Sequence, residues 1–150
     1  MKDSVDFALA QRFAERISQP NALVSTILRA HLEIEAEADR LLRLLSVKPE
    51  TLDAVRLTAS QKFKLCEALW GNPDCGADFW HSLERLNVLR NEIAHGLREK
   101  ELEEKLRAFI ATIAADEKTY QGEALENSLV TCLCYLFHDM SALEKYCQRT

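Results

Sequence analysis

Apolar side chains recur at intervals of three and four residues along most of the chain, the period of helices that bury one face. Val5, Leu9, Phe13 and Ile17 form one stripe, which predicts a first helix to about residue 17, capped by Asp3 or Ser4 and ended by Gln19-Pro20-Asn21. Leu23, Ile27, Ala30, Ile34, Ala38, Leu41 and Leu45 predict a long helix over about 22–45, with Glu33, Glu35, Glu37, Asp39, Arg40 and Arg43 on its solvated face. Pro49 opens a short helical segment, and Thr58 or Ser60 caps a helix to Trp70 whose apolar side is Phe63, Leu65, Cys66, Leu69 and Trp70. Beyond the loop at 71–74, helices are predicted over about 77–95, 98–115 and 123–148, with a break at 119–122. No stretch alternates as a strand would. The expectation is an all-α bundle of five or six helices without a sheet, one domain over 1–150.

The helix over 77–95 carries the chemistry. Phe79, Leu83, Leu86 and Ile93 share a face at about 100° per residue, and Arg90 falls in the middle of it. A guanidinium inside an apolar stripe needs a partner. Asn91 and His95, four apart, lie together on the neighbouring face. Arg90 and His95 diverge by roughly 140° on one ideal helix, so they serve one site only if the helix ends near His95 or a second copy of the chain completes it. Gly96 is a natural stop. A cation, an amide and an imidazole in this order can hold a phosphate and move a proton. Read as packing alone, Arg90 would pair with a buried glutamate and His95 would sit at the helix C-terminus, where an imidazolium is favoured.

Arg90-Asn91-x-x-x-His95, following Leu86-Asn87-x-Leu89, resembles the R-x4-H motif of the HEPN superfamily. The resemblance implies a helical, dimeric protein in which 1–20 form an N-terminal helix and 21–148 the HEPN-like core. It implies a metal-independent endoribonuclease of the toxin–antitoxin or phage-defence kind, in which Arg90 holds the scissile phosphate, His95 moves a proton and Asn91 orients His95 or the phosphate. RNA would be the substrate and an antitoxin or regulatory protein a partner. Where some HEPN toxins have a tyrosine two residues after the histidine, this chain has Leu97, which sets it apart from those controlled through that tyrosine. The alternative is a non-catalytic HEPN-like dimer, a regulatory or interaction module similar to the mannitol-operon regulator group.

Composition narrows the partners. The net charge of −5 over 150 residues argues against an extended DNA surface, though a small basic cleft remains compatible with it. Five cysteines, an odd number, read as reduced thiols of a cytoplasmic protein. No apolar run reaches membrane-span length, and no leader is expected behind Met1-Lys2-Asp3-Ser4. No cofactor or metal is expected: Glu33, Glu35 and Glu37 lack the Glu-x-x-His spacing of a bundle metal site, His31 has only Glu35 four residues on, and Cys132-x-Cys134 points its thiols to separate faces. Arg98, Lys100, Lys105 and Arg107 alternate with glutamates and read as a solvated face, while Trp70 and Trp80 read as core or interface anchors.

Overall fold

The computed structural model describes residues 6–17, 23–70, 77–113 and 124–149. The caps expected at Asp3 and Ser4, the breaks at 19–21 and 119–122, the loop at 71–74 and Cys75 lie outside them. The described residues form six α-helices and one 3-10 turn and no strand: α1 (Phe7–Ile17), α2 (Leu23–Leu45), the turn Pro49–Ala54, α3 (Ala59–Leu69), α4 (Ala77–Ala94), α5 (Glu99–Ile113) and α6 (Leu125–Arg149). The chain is an all-α bundle. No helix among the described residues is long and apolar enough to cross a membrane.

α2 is the axis. It packs against α1, α3, α4 and α6, and its buried positions include Ile27, Ala30, Ile34, Ala38, Leu41 and Leu42, a stripe wide enough to meet several neighbours. α1 starts where the Asp6 carboxylate accepts from the Leu9 N–H at 3.1 Å, and Lys145 of α6 reaches the same carboxylate at 3.4 Å. The Phe13 and Phe137 rings stack at 4.2 Å and bind α1 to α6. α3 begins at a full capping box, in which the Thr58 hydroxyl accepts from the Gln61 N–H and the Gln61 side chain accepts from the Thr58 N–H. Arg43, near the end of α2, clasps the 3-10 turn by donating to the Asp53 carboxylate at 2.6 Å and the Pro49 carbonyl at 3.5 Å.

Two departures from the periodicity have packing causes. On α3 only Phe63 and Cys66 are fully buried, with Trp70 half-buried, while Leu65 and Leu69 are exposed. Among the described residues α3 packs mainly on α2 and α4, so its buried stripe is narrow. On α2 the expected solvated face includes Glu37, yet Glu37 is buried, because α6 covers that side. Arg40 donates to Glu37, and Glu144 of α6 lies opposite. Burial, and then the hydrogen bond with Glu37, raise the pKa of Glu144.

Candidate functional site

α4 turns Leu83, Leu86 and Leu89 into the core and leaves Arg90 half-buried at its edge. The guanidinium donates from Nη1 to Asn91 Oδ1 at 3.0 Å. Among the described residues no carboxylate lies within 4.0 Å of it. The nearest acid in sequence, Glu92, is instead taken by Lys105 of α5 at 2.6 Å. Among the described residues the buried-glutamate pairing that would have made Arg90 a packing residue is therefore not formed, and the bond to Asn91 uses one of its five N–H donors.

The helix stops where the sequence placed the stop. Ala94 is the last residue of α4, and Gly96 has φ +88°, a left-handed conformation that glycine adopts without strain. The His95 N–H is shared between the Asn91 and Glu92 carbonyls at 3.0 and 3.2 Å, and the Gly96 N–H reaches the Ile93 carbonyl at 3.1 Å. His95 thus continues the row of Asn87 and Asn91 at four-residue spacing and is exposed at its end. No hydrogen bond joins Arg90 to His95 among the described residues; Asn91 stands beside both, bonded to Arg90 through its side chain and to His95 through its backbone.

The sequence reading weighed His31 only as a metal ligand and Asn87 only as part of the motif, and did not bring the two together. His31 of α2 is 3% exposed, and its Nε2 meets Asn87 Oδ1 of α4 at 3.1 Å. Its Nδ1 is buried without a hydrogen-bond partner, with Glu35 Oε2 at 3.9 Å. The Phe63 ring stands edge-on at 6.2 Å. Lys62 of α3 holds Glu35 at 3.0 Å and Asp39 at 3.4 Å. Burial depresses the pKa of His31 most; the Asn87 and Glu35 contacts oppose that, and the positive charge of Arg90 adds to it. The ring is therefore neutral near pH 7. The available signal was its place on the α2 stripe: with Ile27, Ile34 and Ala38 buried at helical spacing, a histidine at 31 must be buried too.

The remaining candidates are structural. Trp80 is buried, and Trp70 meets Tyr146 edge-on at 5.8 Å. Arg98 and Arg107 pair with Glu101 and Glu103 on the surface of α5. Cys66 and Cys134 are free thiols. Among the described residues no group of three or more histidine, cysteine or acidic side chains is placed to hold a metal ion. Two grooves lie apart from Arg90 and His95, one of about 490 Å³ lined by Arg43, Asp53, Arg56 and Lys62, the other of about 320 Å³ lined by Asp78, Ser82, Tyr135 and Asp139.

The chain matches no protein-family model, no curated protein and no solved structure.

Proposed function

We propose that the chain is a metal-independent endoribonuclease of HEPN type, acting as a toxin or defence protein. The observation that carries the reading is an arginine with no carboxylate partner among the described residues, half-buried one turn before the end of α4, with an exposed histidine at that end. Arg90 holds the scissile phosphate and offsets the negative charge that grows as the neighbouring 2′-hydroxyl attacks phosphorus. The bond from phosphorus to the 5′ oxygen breaks, leaving a 2′,3′-cyclic phosphate and a 5′-hydroxyl. His95 takes the proton from the 2′-hydroxyl or returns one to the leaving oxygen, a role that contributes about 10²- to 10⁴-fold. Asn91 orients Arg90.

A homodimer fits this reading. Val88 is 55% exposed and lies two turns before His95 on the same side of the helix. A second copy seated there brings its own motif toward the first. RNA is then the substrate, and an antitoxin or regulatory protein is the partner that restrains cleavage.

The same exposed Val88, with Leu32, Leu65 and Leu69 also exposed, supports a second reading, a non-catalytic HEPN-like interaction module. One experiment separates the two. Single-stranded RNA incubated with the purified protein in excess EDTA yields cyclic-phosphate ends under the nuclease reading, and Arg90→Ala and His95→Ala abolish them. Intact RNA after incubation with the folded wild-type protein leaves the interaction module.

A further inference from the structure

We infer that the groove between α2, the 3-10 turn and the start of α3 docks an extended segment of a partner protein, in which one acidic residue stands between two aliphatic ones. The inference is independent of Arg90 and His95, which lie apart from this groove. Its volume is about 490 Å³, room for a few side chains of a bound segment. Its walls are tied together before anything binds. Asp39 holds Arg43 at 3.3 Å and Lys62 at 3.4 Å, Asp53 holds Arg43 at 2.6 Å, and the Pro49 carbonyl accepts from Arg43 at 3.5 Å. A groove fixed in this way loses little conformational freedom when it is filled.

What the groove leaves unmatched defines the ligand. Of the cations in its lining, Arg43 and Lys62 are held by carboxylates, whereas Arg56 is exposed and makes no ion pair among the described residues. Both carboxylates of the lining, Asp39 and Asp53, are engaged, so the unanswered charge is positive and calls for an acid. The floor is apolar: Leu42 is buried, Leu52 and Leu57 are half-buried, and Val55 is 52% exposed. The main chain is unmatched too. Val55 leaves the turn extended (φ −115°, ψ 129°) and Thr58 enters α3 extended (φ −72°, ψ 161°). The Val55 N–H donates to the Leu52 carbonyl and the Thr58 N–H to the Gln61 side chain, but the N–H and carbonyl groups of Arg56 and Leu57 between them have no hydrogen bond among the described residues. Such groups accept an added strand. Neighbours alternate in an extended segment, so Val55 and Leu57 share one side and Arg56 takes the other. A strand laid alongside meets them with aliphatic, acidic and aliphatic residues in turn.

The probe is the pentapeptide Ser-Val-Glu-Val-Ser, acetylated and amidated so that its ends carry no charge. It is titrated into the full chain to about 10 mM, because a contact of this size holds at millimolar strength, and followed by ¹⁵N NMR of the backbone amides. The signals of residues 55–58 should move and saturate, and the amide of Arg56 or Leu57 should exchange more slowly with solvent when the peptide is present. The same peptide with lysine in place of glutamate should bind roughly fivefold more weakly or worse. Arg56→Glu should reverse that preference. Absence of shifts, shifts centred outside the groove, equal binding of the lysine peptide, or a preference for glutamate that persists in Arg56→Glu each overturn the inference. Two further outcomes assign the groove to another occupant and overturn it as well. Acetate alone reproducing the shifts makes it a small-anion site, and movement of the 55–58 signals with protein concentration in the absence of peptide makes it a contact between copies of this chain. If Arg56→Glu fails to fold, the contrast between the glutamate and lysine peptides on the wild-type chain decides alone.

Discussion

His31 and Asn87 meet across the interface of α2 and α4, the imidazole Nε2 3.1 Å from the amide oxygen. Fifty-six residues separate them in the chain, and the bond joins the central helix of the bundle to the helix that carries Arg90, Asn91 and His95. A part-buried pair of this kind contributes about 1 kcal/mol net, but removing one partner costs more where the other is left unsatisfied. His31→Ala should destabilise the fold by about 2–4 kcal/mol in urea titrations, through the cavity and the orphaned amide together. A loss under about 0.5 kcal/mol would mean that the contact is not formed in solution.

The same ring makes stability depend on pH. Unfolded, His31 titrates near its ordinary value of 6.5; folded, burial and then Arg90 hold its pKa lower. Below about pH 6.5 the unfolded chain therefore binds more protons than the folded one. The contribution of the neutral ring is complete above that value and falls away as pH drops toward the folded pKa. The slope is at most about 1.4 kcal/mol per pH unit. Urea midpoints compared at neutral and mildly acidic pH should converge in His31→Gln and separate in the wild-type chain.

Gly96 closes α4 at φ +88°, and a Cβ built there meets nothing within 4 Å. The cost of Gly96→Ala is thus conformational and not steric, about 1 kcal/mol of stability. Gly96→Asn should cost less, since asparagine tolerates the left-handed region. If both variants match the wild-type chain in denaturant, the helix does not end there.

Arg90→Lys separates charge from shape. The ammonium keeps the cation but loses the planar fork, and with it the bond to Asn91. Under the nuclease reading, RNA cleavage should fall about 10²-fold, while stability changes by less than about 1 kcal/mol. Undiminished cleavage by this variant would show that the guanidinium does not touch the phosphate.

Cys66 should be inert until the chain opens. Its thiol donates to the Ala38 carbonyl at 3.3 Å, and burial pushes its pKa up to about 12, so almost no thiolate is present at neutral pH. Peptide-resolved alkylation should modify Cys66 only at the rate of opening, accelerating with urea. Prompt labelling in buffer would place this thiol at the surface.

Periodicity alone recovered the helices and most of the core, because Ile27, Ile34, Leu83, Leu86, Leu129 and Leu133 do no more than repeat at helical spacing. The end of α4 was readable from Gly96. Leu65, Leu69 and Glu37 were not, since their burial depends on which side of a helix a neighbour happens to cover. His31 and Asn87 show the same limit at the site: each is an ordinary polar residue in its own helix and acquires meaning only when α2 and α4 are brought together. Arg90 was conspicuous by its place in an apolar stripe, but that it bonds to Asn91, and to no carboxylate among the described residues, became visible only with Glu92 tied to Lys105.

The hydroxyl of Thr58 has a reach far beyond its own turn. By deciding the residue at which α3 begins, it sets the rotation of that helix and aims Lys62 at Glu35 and Asp39. A slip of one residue would swing the ammonium by about 100° and leave Glu35 unaccompanied beside the imidazole of His31. The company that Glu35 keeps beside a histidine in the heart of the bundle thus depends on where a neighbouring coil at the rim is started.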